Sequence, residues 1–284
     1  MQDANTPKPG GATCAVQQDL SWAGALPPSV KIALRGADDV LVVTLARPHK
    51  RNALDDATVL GLAALLDALP STVRAIVIEG EGEHFSAGLD LSELSERDTV
   101  AGVAHSRRWH RIFEDLEFGR VPVIAVLKGA VIGGGLELAC TAHLRVAESS
   151  AYYALPEGQR GIFVGGGGSV RLPRLIGVSR MADMMLTGRV HDAQAGQAMG
   201  ISHYLVGPGE GLTKALELAG KVSANAPMTN FAVLQALPRI AQSDPSAGYL
   251  TESLMAAIAQ GDEEAKRRIR DFLAKRAGKV TGPG

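Results

Sequence analysis

Two glycine runs and two glutamates stand close together in otherwise apolar sequence between residues 128 and 172 of this 284-residue chain. The first run, 133–135, precedes Glu137 and lies where a helix can begin. Glu157 follows in a Leu-Pro-Glu-Gly turn ahead of the second run, 165–168. Carboxylates are rarely buried without a partner, and a helix N-terminus offers free backbone N–H groups to an anion. The segment therefore predicts a site for acid and base chemistry beside a carbonyl group.

The composition argues against several classes of protein. With 29 basic and 30 acidic residues the formal net charge is -1, which gives no general attraction to nucleic acid or membranes. No apolar run reaches about 18 residues, so no membrane span is predicted. Cys14 lies in a polar tail and Cys140 in an apolar helix, which favours free thiols over a disulfide. The N-terminus lacks the apolar core of a secretory signal, and we expect a cytoplasmic protein.

Short apolar runs alternate with helical patterns through the first two thirds of the chain. Five runs have the β-branched, apolar character of strands: 30–34, 40–45, 74–78, 123–127 and 144–147. Residues 55–69 carry leucines at helical spacing between the second and third runs. From about residue 209 the patterns are helical alone: 210–226, 229–241, 248–260 and 262–276. This order predicts an α/β architecture followed by helices.

Three regions are expected. Residues 1–27 are rich in Gly, Pro, Gln and Thr and predict a flexible tail. Residues 28–208 form the α/β core that carries the site, and 209–284 form a helical C-terminal region. The last helix has a narrow apolar stripe among charges, which fits packing at a domain or subunit surface.

Two further patches complement the glutamates. Residues 83–91, EHFSAGLDL, follow a predicted strand, and the small residues Ser-Ala-Gly let a ligand approach the backbone closely. Residues 47–54, RPHKRNAL, place basic side chains beside a turn that precedes a helix. The histidines have no metal-ligand spacing, so no metal site is expected.

Together, RPHKRNALD, HFSAGLDL, KGAVIGGGLELA, ALPEGQRGI and GGGGSVRLPRLIG resemble the crotonase (enoyl-CoA hydratase/isomerase) superfamily, from about residue 30 to 276. The resemblance implies a spiral of ββα units with a C-terminal helical trimerisation region, assembled as a homotrimer or a dimer of trimers. It implies acyl-CoA thioester substrates and chemistry through a stabilised thioester enolate. The CoA thioester is then the substrate, and no cofactor is expected.

The resemblance also assigns roles to single residues. The backbone N–H groups of Leu89 and Gly134 correspond to the oxyanion hole of the family. Glu137 corresponds to the base that acts on water, and Glu157 to the residue that exchanges the proton at C2. The remaining positions implied to contact the substrate or its CoA are Lys50, Arg51, Ala53, Ala87, Asp90, Phe163 and Val164.

The pair of glutamates favours hydration of a trans-2-enoyl-CoA to a 3-hydroxyacyl-CoA. Isomerases can use one glutamate, so Δ3-Δ2 enoyl isomerisation and thioester hydrolysis stay open. Dienoyl isomerases carry an aspartate eight positions beyond the second glutamate, where this chain has Gly165. RNA-binding relatives use a lysine-rich helix, whereas 55–69 contains neither lysine nor arginine.

Residues 100–116 cover the acyl pocket in relatives, although His105 and His110 are expected to be solvated or packed. Trp109 is expected to pack in the core or to contact the acyl chain. The segment after Glu157 lacks a proline that is frequent in the family, which leaves the acyl preference open.

Overall fold

The strands form two sheets in a computed structural model that describes residues 19–37, 39–93, 98–274 and 276. Nine strands lie in these residues: β1 Val30–Arg35, β2 Val40–Leu45, β3 Ala75–Gly80, β4 Val123–Leu127, β5 Ala130–Ile132, β6 Leu144–Glu148, β7 Tyr152–Ala154, β8 His191–Asp192 and β9 Tyr204–Val206. The larger sheet has the spatial order β1-β2-β3-β4-β6-β9, and the smaller has the order β5-β7-β8. In the larger sheet only β1 and β2 are antiparallel neighbours.

Eleven α-helices lie in the same residues. They are α1 Asp56–Asp67, α2 Thr99–Glu117, α3 Gly134–Ala139, α4 Gly168–Ile176, α5 Val178–Thr187, α6 Ala193–Met199, α7 Gly211–Ser223, α8 Pro227–Phe231, α9 Leu237–Ile240, α10 Pro245–Gly261 and α11 Glu263–Leu273. Short 3-10 turns precede or follow several of them. Within the described residues, no helix is both long and apolar enough to cross a membrane.

The sequence predicted the longer strands and missed the shorter ones. The bounds of β2 and β4 agree with the predicted runs, and β1, β3 and β6 agree to within two residues at each end. β5, β7, β8 and β9 have two or three residues each, too few for a periodic pattern to be recognised. Their positions depend on pairing with strands distant in sequence.

The helix α7 belongs to the core, which corrects the predicted boundary at residue 208. Ala215, Leu218 and Ala219 of α7 are buried against apolar side chains of β2, β3, β4 and β6. The main core cluster lies on the opposite side of the sheet, so all five residues of β4 are buried. A parallel strand covered on both faces is apolar throughout, as this one is.

The packed region also begins before residue 28. Ala23 is buried, and Leu20, Trp22 and Leu26 pack against the main core. The flexible tail predicted for 1–27 is therefore wrong for this apolar stretch, because its side chains find a core surface that the sequence pattern does not reveal. Residues 1–18, with Cys14, lie outside the described residues.

The C-terminal helices leave apolar side chains in solvent. The helix predicted at 229–241 is divided into α8, a π-helical turn at Ala232–Ala236 and α9. Pro238 has no N–H to donate to the preceding turn, which accounts for the widened helix. Seven large apolar side chains of α10 and α11 are exposed: Tyr249, Leu250, Leu254, Ile258, Ile269, Phe272 and Leu273. Clustered exposed apolar residues are typical of protein interfaces.

Candidate active site

A cavity of about 460 Å³ lies where the glycine-rich turns meet α2 and the segment after Glu157. Its lining includes Leu89, Gly134, Glu137 and Glu157, which the structure brings together from three separate parts of the sequence. We call this part of the cavity the reaction end. The cavity continues along α2 to Gly102, and we call that part the acyl end.

Two backbone N–H groups meet at the reaction end. If Gly134 carried a Cβ, that atom would lie 3.2 Å from the backbone nitrogen of Leu89, so the two residues are in close contact. Within the described residues, no hydrogen-bond acceptor is found for the N–H of either residue. The two groups therefore form a pair of free donors beside the cavity, suited to an oxyanion.

Local structure explains why both donors are free. Gly134 is the first residue of α3, and the first N–H groups of a helix have no acceptor within it. Leu89 lies between two backbone hydrogen bonds, from Leu54 N to Gly88 O at 2.7 Å and from Asp90 N to Leu54 O at 2.8 Å. These bonds hold the loop without using the Leu89 N–H.

Glu137 is buried and held by the second glycine run. Its Oε1 accepts hydrogen bonds from Gly166 N at 2.8 Å and from Gly168 N at 2.7 Å. Burial raises the pKa of the Glu137 carboxyl, and the backbone N–H groups of Gly168, Gly166 and Gly165 partly offset this effect. The carboxylate thus has a fixed position and two donors that stabilise its charge.

The glycine run 165–168 is the start of α4 and packs against the site, as predicted from the sequence. Arg171 supports the run through a hydrogen bond from its NH1 to Gly166 O at 3.0 Å. The same guanidinium forms an ion pair with Glu117 of α2. The run therefore serves to orient N–H groups toward a carboxylate inside the protein.

Glu157 differs from Glu137 in its environment. It follows β7 in a tight turn, is only 7% exposed, and its Oε2 has no hydrogen-bond partner among the described residues. Burial is the main cause that raises the pKa of the Glu157 carboxyl, and the charge of Glu137 raises it further. Glu157 Oε2 therefore lacks the backbone donors that stabilise the charge of Glu137.

The face of α2 that lines the cavity was only partly anticipated. Gly102, His105, Ser106 and Trp109 share one helical face and all line the cavity. His105 Nε2 and Trp109 Nε1 lie 2.8 and 3.0 Å from Asp56 Oδ1. The expectation that His105 is packed holds, but its place in the cavity lining was missed. The spacing of three and four residues between these positions could have indicated that they share a face of the helix.

Ser106 joins the two walls of the cavity. Its hydroxyl donates to Gly165 O at 2.7 Å, which connects α2 to the glycine run. Sequence patterns did not indicate a role for Ser106. Serine in a helix is usually solvated, and only the tertiary structure places Gly165 beside it.

Three of the positions implied to contact substrate line the cavity. Ala87 lies at the reaction end. Phe163 and Val164 also line the cavity, with Val164 buried and Phe163 68% exposed. Their apolar side chains suit an acyl chain.

Lys50, Ala53 and Asp90 lie outside the cavity lining, and their contact with the substrate or its CoA stays a prediction. The Asp90 carboxylate accepts from Lys50 Nζ at 2.8 Å and from Arg47 at 2.7 Å. Hydrogen bonds from Lys50 and Ser92 hold the pKa of Asp90 well below its usual range. Ala53 is buried and its carbonyl accepts from Arg47. This cluster supports the loop that carries Leu89.

Arg51 remains a candidate for the CoA phosphates. Its backbone is left-handed, with φ of 50°, and its side chain is exposed. No ion pair involves this guanidinium within the described residues. The contact with CoA stays a prediction.

No group of three His, Cys, Asp or Glu side chains among the described residues is arranged to hold a metal ion. Cys140 is buried and free, and burial raises the pKa of its thiol to about 11. The titratable side chains that line the cavity are those of His105, Glu137, Glu157 and Arg160.

The fold is that of the crotonase class, with two packed sheets and a helical C-terminal region. The profile of the enoyl-CoA hydratase/isomerase family matches residues 35–282, and the chain belongs to this family. The resemblance inferred from the sequence motifs is confirmed.

Individual relatives agree with the family. The chain is 32% identical to short-chain-enoyl-CoA hydratase of Clostridium acetobutylicum, over 86% of this chain and 95% of that protein. It is 34% identical to 2,3-dehydroadipyl-CoA hydratase of Escherichia coli, over 84% and 93%. The crystal structure of an inferred enoyl-CoA hydratase from Rhodopseudomonas palustris is 62% identical, with a TM-score of 0.86 over 88% of this chain and 97% of that one.

Proposed function

We propose that this chain is an enoyl-CoA hydratase, which adds water across the trans-2 double bond of an acyl-CoA thioester. The observation that carries the proposal is the pair of free N–H groups of Leu89 and Gly134 beside two buried carboxyls. Donors placed in advance where negative charge develops are the strongest contribution that a site makes to enolate formation. The names of the hydratase relatives support the same reaction.

The different environments of the two glutamates suggest different roles. Glu137 has two N–H donors on Oε1, which favour its charged form and make it the base toward water. Glu157 has an unpartnered Oε2 and a neighbouring negative charge, which favour its protonated form. Two carboxyls whose environments differ in this way can act as base and acid in one step sequence.

The reaction balances with these groups alone. The Glu137 carboxylate takes a proton from water while the water oxygen bonds to C3 and the double-bond electrons move to the thioester oxygen. The N–H groups of Leu89 and Gly134 hold that enolate oxygen. Glu157 then gives its proton to C2, and the enolate returns to a thioester as the 3-hydroxyacyl-CoA leaves. Exchange with solvent restores both carboxyls, so we propose that no cofactor is needed.

The experiment is to replace each glutamate by glutamine and to follow hydration of trans-2-butenoyl-CoA. We expect kcat to fall by about 10²–10⁴ in Glu137→Gln and in Glu157→Gln, the usual contribution of a positioned acid or base. Undiminished turnover in either variant removes that residue from the mechanism. Product analysis separates a 3-hydroxyacyl-CoA from a shifted double bond or free CoA, which would indicate isomerisation or hydrolysis.

The pH dependence provides a second test. Activity requires Glu137 ionised and Glu157 protonated, so the rate falls in acid as Glu137 gains a proton and in alkali as Glu157 loses one. Burial raises both pKa values above the ordinary 4.5, and we expect both limbs of the profile of kcat/KM above that pH. A profile whose only limb lies below 4.5 contradicts the assignment.

We also propose assembly as a homotrimer or a dimer of trimers. The exposed apolar side chains of α10 and α11 support an interface at this surface, since a lone protein rarely exposes them together. Measurement of the mass in solution distinguishes three copies from six. Cytoplasmic location stays a prediction from the sequence.

A further inference from the structure

Gly102 stands inside a helix without a conformational or packing reason for a glycine. It is the fourth residue of α2, where its N–H donates to Asp98 O at 2.9 Å. Glycine in a helix costs roughly 0.5–1 kcal/mol relative to alanine. No atom of the described residues lies within 4 Å of the place where a Cβ of Gly102 would be.

Two other helical glycines, Gly220 and Gly261, also have open space among the described residues at the place of a Cβ, but neither lines the cavity. Close neighbours explain Gly61 and Gly196. At Gly61 of α1 a Cβ would lie 2.6 Å from the ring of Pro27. At Gly196 of α6 it would lie 2.1 Å from the ring of Tyr153. Gly102 has no such neighbour, and its distinguishing property is that it lines the cavity.

The cavity can be measured along α2. Trp109 lies at the reaction end, since its ring is 3.6 Å from the place of a Cβ on Gly134. Gly102 lies seven residues earlier on the same face, which is about 10 Å at the rise of an α-helix. An extended chain of single bonds covers about 3.6 Å in three bonds, so roughly nine bonds cover this length. Counted from a thioester carbon beside Trp109, a butenoyl group ends after about a third of this length, and a chain of about ten carbons reaches Gly102.

The apolar lining of the cavity suits an acyl chain. Leu91, Ile162 and Phe163 line the same cavity as Gly102, and their side chains are 42%, 38% and 68% exposed. These apolar side chains are exposed to solvent when no ligand is bound. They can pack against the methylene groups of an acyl chain that passes between them.

We propose that Gly102 is a specificity-determining residue, which keeps the acyl end open for trans-2-enoyl groups of about ten carbons or more. The inference rests on the proposed hydratase function and adds the substrate class to it. A side chain at this position would project into the path of the acyl chain and would leave the reaction end unchanged.

The test compares Gly102→Leu with Gly220→Leu in the full-length chain. Gly220 is a helical glycine of α7 that also has no atom within 4 Å of a Cβ among the described residues, and it is exposed away from the cavity. The two variants thus make the same change in helix propensity. Rates are measured with trans-2-butenoyl-CoA and trans-2-dodecenoyl-CoA, and thermal unfolding and mass in solution are measured for each protein.

We expect Gly102→Leu to lower kcat/KM for the dodecenoyl thioester about tenfold or more, the usual penalty of filling an apolar pocket, without change for the butenoyl thioester. Gly220→Leu should leave both rates unchanged. An unchanged ratio of the two rates in Gly102→Leu overturns the inference. An equal fall of both rates, or a changed mass, also overturns it, because Gly102 would then serve packing or assembly.

The wild-type chain separates this inference from the proposed function. Hydration of butenoyl-CoA but not of dodecenoyl-CoA by the wild type refutes the role of Gly102 and leaves the hydratase proposal in place. Hydration of neither thioester refutes the hydratase proposal, and the inference with it.

Discussion

The reaction end and the acyl end of the same cavity differ in how much space they leave for an added side chain. At the reaction end, a methyl group added to Gly88 would lie 2.6 Å from Ile132 O and 3.0 Å from Gly134 N. At the acyl end, a methyl group added to Gly102 meets no described atom within 4 Å. The side chains of Glu137, Glu157 and Trp109 at the reaction end are buried, whereas Phe163, which also lines the cavity, is mostly exposed.

The difference follows from what each end has to do. Two N–H groups hold one enolate oxygen only if their separation is fixed to a few tenths of an ångström, and packing against backbone fixes it. An acyl chain is recognised by apolar area, which is non-directional and tolerates shifts of the wall. Substitutions should therefore have large effects on rate at one end and small effects at the other.

The largest effect is expected from Gly88→Ala. Gly88 has φ of +90°, and the new Cβ would push against Gly134 N and separate the two donors. We expect kcat for trans-2-butenoyl-CoA to fall about 10²–10³-fold, the cost of losing one donor of an oxyanion hole.

Gly209→Ala is the matched control for the strained backbone. Gly209 has φ of +78° and no described atom within 4 Å of a Cβ. The Gly209→Ala variant should be destabilised by the left-handed backbone in the same way as Gly88→Ala, but should keep full activity. If both variants lose the same rate, close contact at the reaction end is not the cause.

A smaller effect is expected from Glu157→Gln, which should increase the stability of the folded protein rather than impair it. The pKa of Glu157 in the folded protein is raised above 4.5, so ionising the carboxyl costs more in the folded state than in the unfolded state. The wild type thus loses stability as the pH rises from 4.5 through the folded pKa, and glutamine removes this loss. We expect the free energy of unfolding to rise by about 0.5–2 kcal/mol at pH 8, with no gain below pH 4.5.

Denaturant unfolding of both proteins across this pH range provides the measurement. A gain in stability without a loss of rate would separate the burial of Glu157 from its use in the reaction. A gain that is the same at every pH would refute the electrostatic cause and point to hydrogen bonding by the new amide.

The smallest effect is expected from Phe163→Ala at the acyl end. Its side chain is 68% exposed, so the free energy of unfolding should change by no more than about 0.5 kcal/mol. The rate with butenoyl-CoA should be unchanged, because an exposed apolar side chain contributes only non-directional contact area. A loss of rate as large as that of Gly88→Ala would show that substitutions at both ends affect the rate equally, and would refute the difference between them.

Several features of the site were evident from the sequence because they depend on local patterns. The start of α3 within the glycines before Glu137 follows from chain flexibility there, and the start of α4 at 165–168 has the same origin. β2 and β4 were predicted at their observed bounds since long apolar runs have few alternatives. The family resemblance added the roles of residues that no pattern could assign.

The features that the sequence did not reveal depend on contacts distant in sequence. Asp90 stands next to Leu89, and its carboxylate is held by Lys50 and Arg47, about forty residues earlier, outside the lining of the cavity. Trp22 is in apolar contact with the core, although its surrounding sequence resembles a tail.

The sequence by itself therefore determined which residues can begin helices, form strands and carry a proton. Only the tertiary structure decided that Leu89 and Gly134 lie in close contact, each with an N–H that has no acceptor among the described residues. It also decided that Glu137 Oε1 receives two donors, whereas no described residue bonds to Glu157 Oε2. The physical reason is that the formation of a helix or a strand depends largely on residues adjacent in the chain. The charge state of a buried carboxyl, and whether an N–H group finds an acceptor, depend on residues that are close in space but distant in sequence.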